Sequence, residues 1–516
     1  MKQRSFAKTA VLMGVIILFS KIMGLVRDVM IAGTYGTTMY AVAYETASKL
    51  PVTIFDFVLG GVVTSAFIPV YNSISVRDGK AKALSFAQSY LNLILTVTAA
   101  LSLIGVAFAP QLVYLMAPEL SAECALLAAY LTRIMFPMVI FVGLAFSFVG
   151  FLQSEGEYNI PAVISLVSNL IMVGYLALVG FFTDDPAVSA TGLSVAMLIG
   201  WMAQAAVQIP SVAKRGFRMN LRAPLITEDT KRAARNALPI LAATWTTPVC
   251  SLINTRLASG IENGRAINAL GYANRLYIII VGLFSFVATN LLFPYMARAA
   301  ASGDTNERDR LTRVSIRVLV FIIAPISAGV AVLAEPFVAL IYENGSFTAA
   351  DTAITSEALR FYAIGMIFTA VCEVLTKAFF AVEKTKFPMI SAAISMIFNI
   401  AVIAVFGSDL GVGGIALVSG LAAAVNMAAN LIFALRQGLI GHSGADIADI
   451  LKSLLSTAVM AAAVWAVYRA LHGMGSVGSV VSFALSVLTG VAVYAIASFI
   501  LKSAEIRGMI DSVRKK

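Results

Sequence analysis

Fourteen apolar stretches follow one another along this chain with only short polar breaks: 8–34, 42–72, 84–109, 123–152, 160–183, 188–212, 237–259, 267–299, 312–334, 354–381, 387–407, 411–435, 450–471 and 477–501. About twenty apolar residues in a helix cross the hydrocarbon core of a bilayer. Inside that core the backbone must satisfy its own hydrogen bonds, which leaves helices or a closed barrel. Stretches of this length, parted by short polar breaks, are what a helical bundle needs. Charged residues make up only 12% of the 516, against about 25% in a soluble protein. The expected fold is all-α: a polytopic membrane protein of about fourteen transmembrane helices.

Loop charge gives the expected orientation. Basic residues gather before the first stretch (Lys2, Arg4, Lys8) and after the second (Arg77, Lys80, Lys82). They gather again after the sixth (Lys214, Arg215, Arg218, Arg222, Lys231, Arg232, Arg235), the eighth (Arg308, Arg310, Arg313) and the last (Lys502, Arg507, Arg514, Lys515, Lys516). The alternate loops carry chiefly acids or no charge, with Arg265 and Arg469 as exceptions. Basic loops stay in the cytoplasm, so both termini are expected there. The net charge of +10 therefore reports topology rather than nucleic-acid binding. The basic N-terminus followed by an apolar run imitates a signal peptide, but the run is too long and reads as an uncleaved first helix. The three cysteines are scattered and the two histidines, His442 and His472, stand apart, so no metal site, cofactor site or disulfide framework is expected.

The chain repeats itself. Ala47-Ser48-Lys49-Leu50 matches Ala273-Asn274-Arg275-Leu276, Ile68-Pro69 matches Phe293-Pro294, Arg133 matches Arg360, and Ile160-Pro161 matches Phe387-Pro388, all at offsets of 225 to 227 residues. A repeat of six helices puts both halves in the same orientation, related by a pseudo-two-fold axis along the membrane normal. The expected organisation is a six-helix lobe over 1–213, a basic cytoplasmic linker over 214–236, a second six-helix lobe over 237–436, and two extra helices with a basic tail over 437–516.

Charges inside the apolar stretches mark the candidate site. A charge at the bilayer centre costs about 2.5–3.5 kcal/mol even on the lenient insertion scale, so such side chains face protein or water. Lys21, Arg27 and Asp28 lie in the first stretch. At about 100° per residue, Ser20, Gly24 and Arg27 share one helix face and Lys21 and Asp28 form the adjoining stripe, with Gly24 leaving a gap beside Arg27. The second stretch holds Glu45, Lys49 and Asp56 on one face, a proline at 51, and Gly60-Gly61, a point of flexibility or close packing. Arg133, Arg275, Arg360, Glu373 and Lys377 complete the set. Cations exceed acids, which suits an anion such as a phosphate, and arginine binds two phosphate oxygens at once. For Arg133 and Arg360, pairing at a helix end is an equal alternative. No Asp-x-Asp metal motif, nucleophile elbow or Gly-rich phosphate loop occurs on the cytoplasmic side, so an enzyme is not expected.

Gly24-Leu25-Val26-Arg27-Asp28 and Ser48-Lys49-Leu50-Pro51 resemble the start of the MurJ (MviN) family. Ser65-Ala66-Phe67-Ile68-Pro69, Tyr272-Ala273-Asn274-Arg275-Leu276 and Gly345-Ser346-Phe347-Thr348 extend the resemblance over nearly the whole chain. That family belongs to the multidrug/oligosaccharidyl-lipid/polysaccharide exporter superfamily. It flips lipid II, the undecaprenyl-pyrophosphate-linked peptidoglycan precursor, from the inner to the outer leaflet of the bacterial cytoplasmic membrane. The resemblance implies transport by alternating access, with Arg27, Asp28 and Arg275 as essential cavity charges. It implies that Ser20, Lys21, Lys49 and Asn169 line the cavity, and that the last two helices form a groove for the lipid tail. It implies lipid II and the membrane as partners, with cell-wall synthesis proteins as candidates. Some relatives have a sodium site built on acids of the seventh and eleventh helices; neither stretch here contains Asp or Glu, so membrane potential is the expected drive. The alternatives are a flippase for another undecaprenyl-linked polysaccharide unit and, less favoured because its cavity should be acidic, a cation-coupled drug exporter.

Overall fold

The structure, a computed structural model, describes residues 2–60, 62–287, 293–441, 443–473 and 478–507. Gly61, His442 and the basic residues of the tail beyond 507 lie outside the described residues. The described residues are all helix, turn and loop, with no strand among them, and form two compact units.

The first unit comprises residues 1–268 together with 344–347. Its helices are α1 (Lys2–Tyr35), α2 (Met39–Val58), α3 (Val62–Ser65), α4 (Phe67–Asp78), α5 (Lys80–Ala107), α6 (Ala109–Met116) and α7 (Ala122–Met135). They continue with α8 (Met138–Ser154), α9 (Asn159–Val179), α10 (Pro186–Ala206), α11 (Ile209–Lys214), α12 (Glu228–Thr244) and α13 (Thr246–Ala258). The interruptions have local causes. Helix α2 runs on through Pro51 and stops after Val58, where Gly60 takes a left-handed φ of +43°, a region glycine enters without Cβ strain. The fourth apolar stretch is a pair, α7 and α8, bent by 42° at Phe136–Pro137. Proline has no N–H to carry the helical ladder across that point. Helix α12 begins earlier than hydropathy alone suggests. Thr227 and Thr230 form a reciprocal capping box, with Glu228 and Asp229 in the positive first turn. The linker expected over 214–236 thus includes the first turns of a helix.

The second unit comprises residues 269–343 and 348–516. Helix α14 (Arg265–Val287) enters it, followed by α15 (Phe293–Ala301), α16 (Thr305–Val332), α17 (Ala334–Tyr342) and α18 (Ala349–Ala381). Then come α19 (Lys386–Phe406), α20 (Gly411–Arg436), α21 (Gly444–Gly473) and α22 (Ser479–Ile500). Each of the fourteen expected spans coincides with one of these helices or a consecutive run of them. Among the described residues ten segments are long and apolar enough to cross a membrane by themselves, or eleven with α7–α8 taken as one span. The remaining three are α1 with its charges, the broken pair α12–α13, and α14–α15, whose middle includes 288–292, outside the described residues. The chain is an all-α polytopic membrane protein.

Two contacts show how helices meet where lipid removes the hydrophobic incentive and close approach must take its place. In the second unit α18 packs on α20 through Gly365 and Gly420, so closely that a Cβ on Gly365 would stand 2.9 Å from the Gly420 Cα. In the first unit α1 packs on α9 and α9 on α10. That trio, with α8, carries the site.

Candidate binding site

Arg27 sits three-quarters of the way along α1. Its Nε and Nη2 donate to Asp28 Oδ1 at 3.0 and 2.8 Å, and its Nη1 donates to Asn169 Oδ1 of α9 at 2.9 Å. Asn169 in turn donates from Nδ2 to the Ser20 carbonyl at 3.2 Å. The gap that Gly24 leaves is therefore filled: a Cβ there would meet Asn169 Nδ2 at 3.4 Å. Helix α1 presents a groove at Gly24, and a buried amide from α9 occupies it and steadies the guanidinium. Asp28 is turned into protein, its side chain 6% exposed against 25% for Arg27.

A cavity of about 660 Å³ opens beside this pair. Ser20, Lys21, Gly24 and Arg27 line it from α1, and Asn169 from α9, so four of the five polar-stripe residues read from helix geometry share one wall. The opposite side of α1 shows Ile22 and Val26 exposed, as a lipid-facing surface would. Lys21 has no ion-pair partner among the described residues, whereas Arg27 is half of a pair with Asp28. One positive charge thus remains in excess at this wall. The rest of the lining includes Phe146, Gln153, Tyr158, Ser168, Trp201 and Gln204. Sequence reasoning missed these, because an uncharged amide or aromatic is unremarkable in a membrane helix.

The other expected residues lie elsewhere. On α2, Glu45 and Lys49 pair at 3.1 Å, with the carboxylate 7% exposed, and neither lines this cavity. Asp56, half-buried, has no ion-pair partner among the described residues. Arg133 is exposed near the end of α7. In the second unit the Arg275 guanidinium lies 5.8 Å from the Tyr272 ring centroid, and Glu373 and Lys377 pair at 3.4 Å on α18. Arg360 is exposed on the same helix. Among the described residues no cluster of His, Cys, Asp or Glu could hold a metal ion.

The second unit has its own cavity, an apolar groove of about 430 Å³ lined from α16, α17, α21 and α22 by Pro325, Leu333, Phe337, Val464, Phe483 and Val491 among others. Near one end of it a charge network ties these helices together. Arg317 of α16 contacts Asp446 at 2.8 Å and Asp449 at 3.8 Å, both on α21, and also Glu505, which follows α22. Arg313 reaches Asp309 at 2.7 Å and Asp446 at 3.0 Å. Arg313 stood in the sequence as a loop charge; it is in the third turn of a helix that starts at Thr305.

The family model described as Lipid II flippase MurJ matches residues 31–486. The chain belongs to the MurJ family. A probable lipid II flippase MurJ of Rhizobium meliloti (strain 1021) is 30% identical over 463 residues, covering 89% of this chain and 86% of the relative. The lipid II flippase MurJ of Burkholderia cenocepacia is 26% identical over 415 residues, covering 79% and 80%. Among solved structures, a lipid II flippase MurJ in an inward closed conformation superposes with a TM-score of 0.80, at 24% identity over 97% of this chain and 100% of that one. An inward-facing multidrug resistance MATE family transporter of the MOP superfamily follows with a TM-score of 0.68, at 14% identity over 83% and 98%. These two likenesses are of fold.

Proposed function

We propose that this protein moves lipid II across the bacterial inner membrane, with both termini in the cytoplasm, and does so by transport without a covalent step. The observation that carries the reading is the surplus positive charge at the α1 wall. Among the described residues Lys21 stands without an ion-pair partner beside an arginine already oriented by Asp28 and Asn169. An uncompensated cation inside a membrane protein is costly unless an anion joins it, and a pyrophosphate supplies that anion with oxygens for the arginine fork. Lys49 and Arg275, which do not line this cavity, would meet a phosphate only at another stage of the cycle. The polyprenyl tail lies in the apolar groove of α16, α21 and α22. Alternating access completes the cycle, with Asp28 and Asp56 holding cations in place or pairing at the gate. The six-helix repeat is the scaffold for that movement.

The test is complementation in bacteria depleted of their own lipid II flippase, with Arg27→Ala alongside and membrane insertion checked for both. Growth restored by the parent chain and not by the variant is expected. Failure of a well-inserted parent chain points to a different lipid-linked saccharide. Rescue by both keeps the flippase and discards the Arg27 site.

A further inference from the structure

The wall of the 660 Å³ cavity beyond the cations has a composition of its own. It follows α9. Asn169 marks the cationic end, Ser168 is its neighbour, and Tyr158, at the start of the helix, lies about 16 Å away along the axis at 1.5 Å per residue. Helix α10 is fixed against this face. Gln204 Nε2 donates to Ser168 Oγ at 2.9 Å, and Gly200 brings α10 so near that a Cβ there would meet the Ser168 Cβ at 3.1 Å. That places Trp201, between them in sequence, at the level of the Arg27–Asn169 pair. Its ring packs at a tilt of 50° against that of Phe146, which also lines the cavity, centroids 6.4 Å apart, and it stays half-buried. Tyr158 is 45% exposed. Among the described residues the Trp201 indole N–H, the Tyr158 hydroxyl and the Gln153 side-chain amide make no hydrogen bond, although all three residues line the cavity.

One packed and one exposed aromatic ring, unused donors and acceptors, and no charged side chain of either sign on this wall are a poor match for a second anion and for an apolar chain. They fit a ring that is apolar on its faces and polar at its edge. The C–H groups of a sugar face are electropositive and stack on the negative face of an aromatic ring, while its hydroxyls exchange hydrogen bonds with amide and phenol groups. We propose that the α9–α10 wall from Trp201 to Tyr158, with Gln153 and Gln204, is a saccharide subsite that reads the sugar joined to the phosphate held near Arg27. The proposal rests on the headgroup reading above and adds which part of the ligand is recognised, and by what. A pocket with a few convergent polar groups among aromatic walls is the usual form of a small-ligand site.

The experiment measures binding to the full chain in nanodiscs of two probes: undecaprenyl pyrophosphate, and the same lipid carrying its saccharide. The variants are Trp201→Leu, Trp201→Phe, Tyr158→Leu and Arg27→Ala, each first shown to keep the parent's thermal unfolding and elution profile. Trp201→Leu and Tyr158→Leu are expected to weaken the saccharide-bearing probe about three- to tenfold and leave the bare lipid pyrophosphate unchanged. Trp201→Phe should recover most of the loss, and Arg27→Ala should weaken both probes. Equal loss of both probes in Trp201→Leu would overturn the subsite and reduce Trp201 to a packing residue. No change with either probe would show that the sugar does not reach this wall. If the parent chain bound neither probe, the headgroup reading itself would fall and the subsite with it.

Discussion

Arg27 on α1 and Asn169 on α9, 142 positions apart in the chain, share a 2.9 Å hydrogen bond in which the guanidinium donates and the amide oxygen accepts. Hydrogen bonds to charged groups contribute about 1.5–3 kcal/mol. Asn169→Leu is therefore expected to slow lipid flipping in proteoliposomes about tenfold while the protein still inserts. Asn169→Asp keeps the acceptor but cancels the surplus positive charge. It is expected to lower anion binding further than Asn169→Leu does, and the reverse order would show that geometry, not charge balance, governs the site.

The Gly365–Gly420 approach sets a second expectation. A methyl group on Gly365 would press on backbone, at 2.9 Å from the Gly420 Cα, whereas one on Gly420 would meet its nearest atom at 3.4 Å. Backbone cannot rotate away as a side chain can. Gly365→Ala is expected to cost about 1–3 kcal/mol as overpacking, and Gly420→Ala clearly less. Thermal unfolding in detergent measures both, and equal melting points for the two variants would contradict the ordering.

The Arg317 network predicts an asymmetry between removal and replacement. The Glu505 side chain is 3% exposed, so Arg317→Ala strands a buried carboxylate, while Asp446 keeps its contact with Arg313. Breaking one side of a buried pair costs about 3–5 kcal/mol. Disulfide trapping between cysteines placed on α16 and α21 should fall in Arg317→Ala. Adding Glu505→Gln should restore part of it, because the stranded charge is then gone.

Glu155 gives a pH dependence on a surface outside the spans. Partial burial opposes its charge, but the hydrogen bonds and charges of Lys80 and Tyr71, with Arg215 nearby, outweigh it and hold its carboxyl below the ordinary value of 4.5. Lys80 Nζ stands 2.6 Å and the Tyr71 hydroxyl 2.7 Å from its oxygens. A lowered folded value means that the stabilisation is complete above 4.5 and is lost as pH falls below it through the folded value. Parent-chain melting temperatures should drop more steeply than those of Glu155→Gln as pH is taken from neutral to below 4.5. Parallel curves would remove Glu155 from the acid response.

The fold was legible because a bilayer leaves a chain few options. Runs such as 387–407 and 411–435 had to be helices, and their boundaries in α19 and α20 agree within about one residue. The breaks were harder. Helix α2 carries Pro51 in its interior, and the interruption in that span falls at Gly60, since a helix can absorb a missing N–H more readily than a left-handed residue.

Within the site, local periodicity determined one wall. The 3.6-residue repeat of α1 alone put Ser20, Gly24 and Arg27 on a common face, and the cost of charge in lipid made that face a site. Only the tertiary structure decided what stands opposite. Asn169, which only the family resemblance had placed in the cavity, fills the Gly24 gap, and Tyr158 and Trp201 join the cavity, because α9 and α10 pack there across more than a hundred residues of chain. Their side chains are uncharged, so nothing about them is anomalous until the packing brings them to the cations. A sequence exposes the residues a membrane would reject; the partners that make such residues tolerable become visible only when the helices are assembled.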